Sequence, residues 1–179
     1  MLRRIGIIAV LSLIVGAIAA VPAFAVAPTT ITTTGGLHVC QDSTLDVDKV
    51  LNFDPVTGEL VSANLVGTGE VCGAGTGGTA TLTSTATVTT GCINPGSMDH
   101  QPRGLQRTTT TSSGTAALEI TRPGRGQFNV ETTEVGLAGR TCPGQQEPVL
   151  VSVLFSDITL TITSQTGTVT ATGFGTIDP

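Results

Sequence analysis

The sequence predicts an all-β fold: a two-sheet β-sandwich of immunoglobulin-like or Greek-key type with about eight strands, a closed β-barrel being the alternative. Three observations carry this. Apolar and polar residues alternate with period two along most of the chain, and no window holds a helical period. Clusters of Gly, Pro, Asn and Asp separate the alternating runs, as turns require. Four cysteines, an even number behind an export leader, read as two disulfides that compensate for a core with few large side chains.

The leader is residues 1–25. Arg3 and Arg4 precede an apolar run from Ile5 to Val21, and Ala23 and Ala25 supply the small residues of a cleavage site. A secreted protein follows, with cleavage expected after Ala25 and no membrane anchor in the C-terminal "GTVTATGFGTIDP". Residues 26–36 read as a flexible lead-in or an edge strand, and 37–179 as a single sandwich domain.

Within that domain, "TLDVDKVLNF" at 44–53 places Leu45, Val47, Lys49, Leu51 and Phe53 on one face. "DPVTGE" turns the chain and "LVSANLVG" returns it, so 44–67 is a hairpin. Residues 77–92, "GGTATLTSTATVTTGC", form a long strand with threonine at every odd position from 79 to 89. Its Ala/Leu/Val side faces inward and its Thr side faces water. An irregular stretch at 93–106 follows, long enough to be functional or a disulfide-tethered cover. "RTTTTSSGTAALEIT" resumes as a strand, "RPGRG" at 122–126 turns, and "QFNVETTEV" puts Phe128 and Val130 on one side. A second loop carries Cys142, and "VLVSVLFSDITLTIT" pairs with "TVTATGF" as a final hairpin. Ala80, Ala86, Ala116 and Ala171 let the sheets approach closely.

The disulfides involve Cys40, Cys72, Cys92 and Cys142. Cys72 and Cys92 flank the alternating strand, whose extended length of roughly 40 Å excludes a direct bridge. Of the two remaining pairings, Cys40–Cys72 with Cys92–Cys142 closes the shorter loops and is preferred over Cys40–Cys92 with Cys72–Cys142.

From about residue 70 the chain resembles a group of uncharacterised small secreted all-β proteins of actinobacteria. The resemblance rests on the Thr/Ala-alternating strand running into "CINPG" at 92–96, "QPRG" at 101–104, "GQFNVETT" at 126–133, "CP" at 142–143 and "VSVLFSDITL" at 151–160. It implies an extracellular, disulfide-containing β-domain and supports joining Cys92 to Cys142. It brings no catalytic residue.

Composition narrows the function. Without the leader, six basic residues face thirteen acidic ones, so the chain repels phosphate backbones and nucleic acid is a poor partner. There is no Trp or Tyr, and Phe53, Phe128, Phe155 and Phe174 are the aromatic residues left, which disfavours sugar stacking. No cofactor motif or metal signature is present. Ser97, Asp99 and His100, with Arg103, form the most enzyme-like patch. Relay members normally come from separate segments, so solvated turn formers are the simpler reading of three within four residues. Asp42, Asp46 and Asp48 suggest calcium, but no glycine-containing acidic loop wraps an ion there, and charges on an exposed strand face are favoured. The arginines at 103, 107, 122, 125 and 140 suggest an anion patch, against which stands ordinary pairing with nearby acids.

Thr159, Thr161 and Thr163, with Thr168, Thr170 and Thr172, offer second and third rows beside the odd threonines at 79–89. An ice-binding or adhesive face would need such rows to align; sheet twist of about 20° per strand works against the flatness that ice demands. The expectation is a secreted, non-enzymatic structural or binding module with an extracellular or cell-envelope partner. A small hydrolase or inhibitor using the 93–106 loop is the alternative, and the threonine face a minor one.

Overall fold

The computed structural model describes residues 25–26, 28–56, 60–96, 101–136 and 140–177. The expected leader (apart from Ala25), the tip of the first hairpin and Ser97, Asp99 and His100 lie outside the described residues. Among the described residues twelve strands form two antiparallel sheets that do not close into a barrel. In chain order they are β1 (Ala25–Val26), β2 (Thr30–Gly35), β3 (His38–Val39), β4 (Leu45–Phe53), β5 (Leu60–Cys72) and β6 (Gly78–Ile93). Then come β7 (Arg103–Ala117), β8 (Glu119–Arg122), β9 (Arg125–Glu131), β10 (Val135–Gly136), β11 (Glu147–Ser164) and β12 (Gly167–Ile177).

The first sheet runs β1-β4-β5-β9-β8, with β3 and β10 also paired to β5; the second runs β2-β12-β11-β6-β7. The strand count exceeds the expected eight for a physical reason. The chain changes sheets at both flanks, splitting continuous alternating segments in two. At one flank β1 and β2 lie on the edges of different sheets, so the lead-in is an edge strand twice over. At the other, "RTTTTSSGTAALEIT" breaks at the buried Leu118, whose N–H bonds the Gly78 carbonyl as β7 passes into β8.

Period-two alternation fixes what lies between the sheets. Leu65, Val71, Leu82, Val130, Phe155, Leu160 and Ile162 are fully or almost fully buried, with Ala80, Ala86 and Ala171 filling the closer approaches. The first hairpin keeps this pattern incompletely. Leu45 and Val47 are buried, Lys49 and Leu51 half-buried, and Phe53 exposed, because β4 outruns the facing sheet towards its tip. Lys49 ends that buried run by donating from Nζ to the Thr176 carbonyl of β12 at 2.6 Å, bridging the sheets. At the other end, a Cβ on Gly114 would stand 1.7 Å from the Glu131 carbonyl oxygen. Glycine there lets β7 pass under the chain leaving β9.

Both disulfides are present as preferred. Cys40–Cys72 clips the turn after β3 to the end of β5, with Cα atoms 5.1 Å apart. Cys92–Cys142 ties β6 to the loop before β11, with Cα atoms 5.8 Å apart. Two such bonds accord with an oxidising compartment. Among the described residues no helix is long and apolar enough to cross a membrane.

Candidate functional site

The residues of the expected loop site do not come together as a described site. Ser97, Asp99 and His100 are outside the described residues. Arg103 is exposed at the start of β7, opposite Cys92. The arginines are dispersed, and Arg125 and Arg140 are each engaged by partners of their own. Arg125 binds Glu70 on β5 and Asp42 at 2.9 Å. Arg140 donates to the Thr90 carbonyl at 2.8 Å and to that of Gly104, anchoring the Cys142 loop to the end of the β6–β7 pair. Beside it lies a groove of about 50 Å³ lined by Val88, Thr90, Gln106, Thr108, Thr110, Gly136 and Arg140.

The three aspartates separate likewise. Arg125 claims Asp42 and, by its hydrogen bond, holds the Asp42 carboxyl below its ordinary pKa. Asp46 accepts from Thr44 Oγ1 at 2.7 Å. Asp48, half-buried on β4, stands opposite Val66 of β5 and, on its other side, opposite Ala25, the last residue of the expected leader. Among the described residues no three His, Cys, Asp or Glu side chains form a metal-binding group. His38 spends Nδ1 on the Gly36 carbonyl at 3.1 Å.

What the fold does bring together is threonine. In the β6–β11 pairing, Thr79, Thr81 and Thr83 stand opposite Thr163, Thr161 and Thr159. These stand opposite Thr168, Thr170 and Thr172 on β12. Beyond them come Thr34, Thr32 and Thr30 on β2, and on the other flank Ala117, Thr115 and Ser113 on β7. Three transverse rows therefore cross all five strands: fifteen positions, of which thirteen are Thr, one Ser and one Ala. No charge interrupts them. Strands about 4.8 Å apart and same-face residues about 6.7 Å apart give a grid roughly 19 Å by 13 Å.

The local cause is simple. Each strand buries its apolar alternate positions in the core, so the remaining set faces out together. Pairs directly opposite touch: Thr81 and Thr115 hydroxyls are 3.4 Å apart, and Thr87 and Thr109 3.1 Å. Others lean on backbone, as Thr83 does on the Thr159 carbonyl at 3.5 Å. These contacts are weak, about 0.2–1 kcal/mol per pair, and leave the methyl and hydroxyl groups presented. The grid stops where β11 bulges at Ser156–Asp157, the latter with φ of 52°; beyond it Leu154 is exposed. Thr89, expected to face water, is buried, because β11 slips register between Leu150 and Ser152 beside it.

The sequence pointed to the rows on β6, β11 and β12. It did not point to a row on β2, read as a flexible lead-in or an edge strand, or to β7 as a fourth row. Neither "TITTT" at 30–34 nor "TTTSSGT" at 109–115 alternates apolar with polar residues, so neither row carried a period-two signal of its own.

No protein-family model matches the chain, and no curated protein matches it.

Proposed function

We propose that the protein is an exported, non-enzymatic binding module whose working surface is the threonine face of the five-stranded sheet. The observation that carries this is the convergence of five separate segments, 30–34, 79–83, 113–117, 159–163 and 168–172, on one uncharged grid. An exposed sheet face that served solubility alone would mix charges. A repeating array of hydroxyl and methyl groups suits a partner that is itself uncharged and extended. The export leader and the disulfides support an extracellular site of action, in the medium or at the cell envelope. The twist of a sandwich sheet favours a compliant envelope or protein partner over a flat ice lattice.

The test is capture from envelope and medium fractions with the wild-type chain and with a Thr81→Lys/Thr170→Lys variant, whose two cations stand one strand apart rather than directly opposed. Both substitutions sit in the central row of the grid. The variant's stability stays within about 0.5 kcal/mol of wild type, as surface changes do. Partner retention is expected to fall at least tenfold. Equal retention by both proteins would remove the face from the reading. Thermal hysteresis measured in parallel separates the ice alternative, which requires ice shaping by the wild type and its loss in the variant.

A further inference from the structure

Among the described residues the five-stranded sheet ends in an edge unlike the others. The first sheet is bounded by β1, of two residues, and β8, of four; the second ends on one side in β2, of six. Its other edge is β7, fifteen residues long, and among the described residues no strand pairs with its outer side. Exposed edges are ordinarily shortened, bulged, charged or covered. Here Arg103–Thr111 is exposed on both faces, and the register with β6 runs unbroken from Ala117 to Gln106.

Two contacts define the free length and its polarity. The Thr133 N–H and Oγ1 both donate to the Ser113 carbonyl at 3.1 Å, closing the edge at that end. At the other, Gly104 adopts φ of 60° in a bulge, and its carbonyl accepts from Arg140. The free stretch is therefore 105–111. Because the Ser113 carbonyl points outward, and both backbone groups of a strand residue point to one side, Leu105, Arg107, Thr109 and Thr111 present theirs outward too. The Leu118 N–H bond to Gly78 independently places the even-numbered residues towards β6.

We infer that this edge pairs with the same edge of a second copy of the chain, antiparallel about a two-fold axis at Thr108. That axis bisects the free stretch. It sets Leu105 opposite Thr111 and Arg107 opposite Thr109, so that outward-facing residues meet outward-facing residues and exchange both hydrogen bonds. Charge selects this register. A shift of the two-fold to Arg107 would set that cation directly opposite its copy, which is unfavourable, whereas at Thr108 every directly opposed pair contains at most one charge. A shift to Thr109 would bring Leu105 against the already occupied Ser113 carbonyl. An axis perpendicular to the sheet keeps the threonine face of both copies on one side, so dimerisation yields a ten-stranded sheet and a continuous doubled surface.

Seven paired residues bury less than the roughly 1,200 Å² of a standard interface, so the dimer is concentration-dependent. Sedimentation of the disulfide-intact protein between about 10 μM and 1 mM is expected to show monomer passing to dimer, more readily at high salt because the two Arg107 side chains remain diagonal neighbours. Thr109→Pro removes an N–H that points away from β6, an edge position where proline is tolerated, and is expected to stay monomeric with an unchanged unfolding midpoint. Thr108→Cys is expected to form a symmetric intermolecular disulfide on oxidation, and Thr109→Cys is not, since position 108 alone meets itself. A wild type monomeric throughout the range, or a dimer surviving Thr109→Pro, overturns the inference. Thr81→Lys, which alters the face and spares the edge, should leave the dimer intact; its loss there would move the contact to the face and overturn the edge pairing.

Discussion

The outer faces of the two sheets solve one problem differently. On the first sheet, polar side chains are paired off locally. Arg125 holds Glu70 and Asp42, Asn52 donates to Ser62 at 3.0 Å and to Glu134 at 2.8 Å, and Asn64, wholly buried, donates to Glu131. These groups have partners of their own and little left to offer a ligand, apart from Asn64 Oδ1, buried without one. In the grid on the second sheet the groups are alike and uncharged, and the hydroxyls of Thr32, Thr34, Thr81 and Thr83 make contacts of 3.4–3.5 Å with strand carbonyls or with a facing hydroxyl. A face of mutually committed groups contributes to stability; a face of equivalent, loosely held groups contributes little and remains available for binding. The comparison therefore predicts that substitutions divide by face, stability on the first sheet and recognition on the second.

The disulfides are where both sheets respond most strongly. Cys40–Cys72 closes a separation of 32 residues within the first sheet, and Cys92–Cys142 one of 50 from the second. Replacing either pair by serine is expected to cost about 2–5 kcal/mol, the second slightly more because its loop is longer. Denaturant unfolding of the two double variants without reductant measures this. A loss below about 1 kcal/mol for either would mean that its sheet is held without it.

Those bonds also mark how far the sequence could be read. The strand length between Cys72 and Cys92 and the economy of shorter loops identified the pairing, because extended chain has a fixed reach. The core was legible for the same reason: alternation at Leu82, Val130 and Leu160 admits one buried face. Legibility failed where neighbours decide. Lys49 and Phe53 share the parity of Leu45, and their exposure depends on where the opposite sheet stops. Thr89 is buried by a slip in another strand's register. The β2 row was hidden because a six-residue threonine strand has no apolar signature of its own and forms on the edge that β12 provides. The full extent of the candidate surface is thus a property of strand order, which alternation does not encode.

On the first sheet the next largest effect belongs to Arg125. Its side chain is 11% exposed and its guanidinium serves two carboxylates from different segments. Arg125→Ala leaves Glu70 partly covered without its cation and is expected to lower the unfolding midpoint measurably. Arg125→Lys should recover part of the loss, since lysine replaces the charge and not the fork. The matched change on the second sheet, Thr81→Lys, is expected to stay within about 0.5 kcal/mol. Equal losses from the two would dissolve the distinction between the faces.

The smallest effect is a pH dependence confined to the first sheet. Asp42 is held below its ordinary pKa chiefly by the hydrogen bond from Arg125, then by a bond to its own backbone. The same pairing raises Arg125, which stays charged throughout. A carboxyl whose folded pKa lies below its unfolded value contributes stability above the unfolded value, about 4, and loses it as pH falls through the folded one. Asp42→Asn should therefore be less stable than wild type at about pH 7, and the gap should close as pH falls through the folded pKa. The aspartate is exposed, so the gap is small and shrinks in salt. A gap that persists unchanged in acid would mean that Asp42 acts through the geometry of its turn rather than its charge. Unfolding midpoints of the two proteins across that range decide between these, and because the threonine face holds no titratable group, partner retention should not follow the same curve.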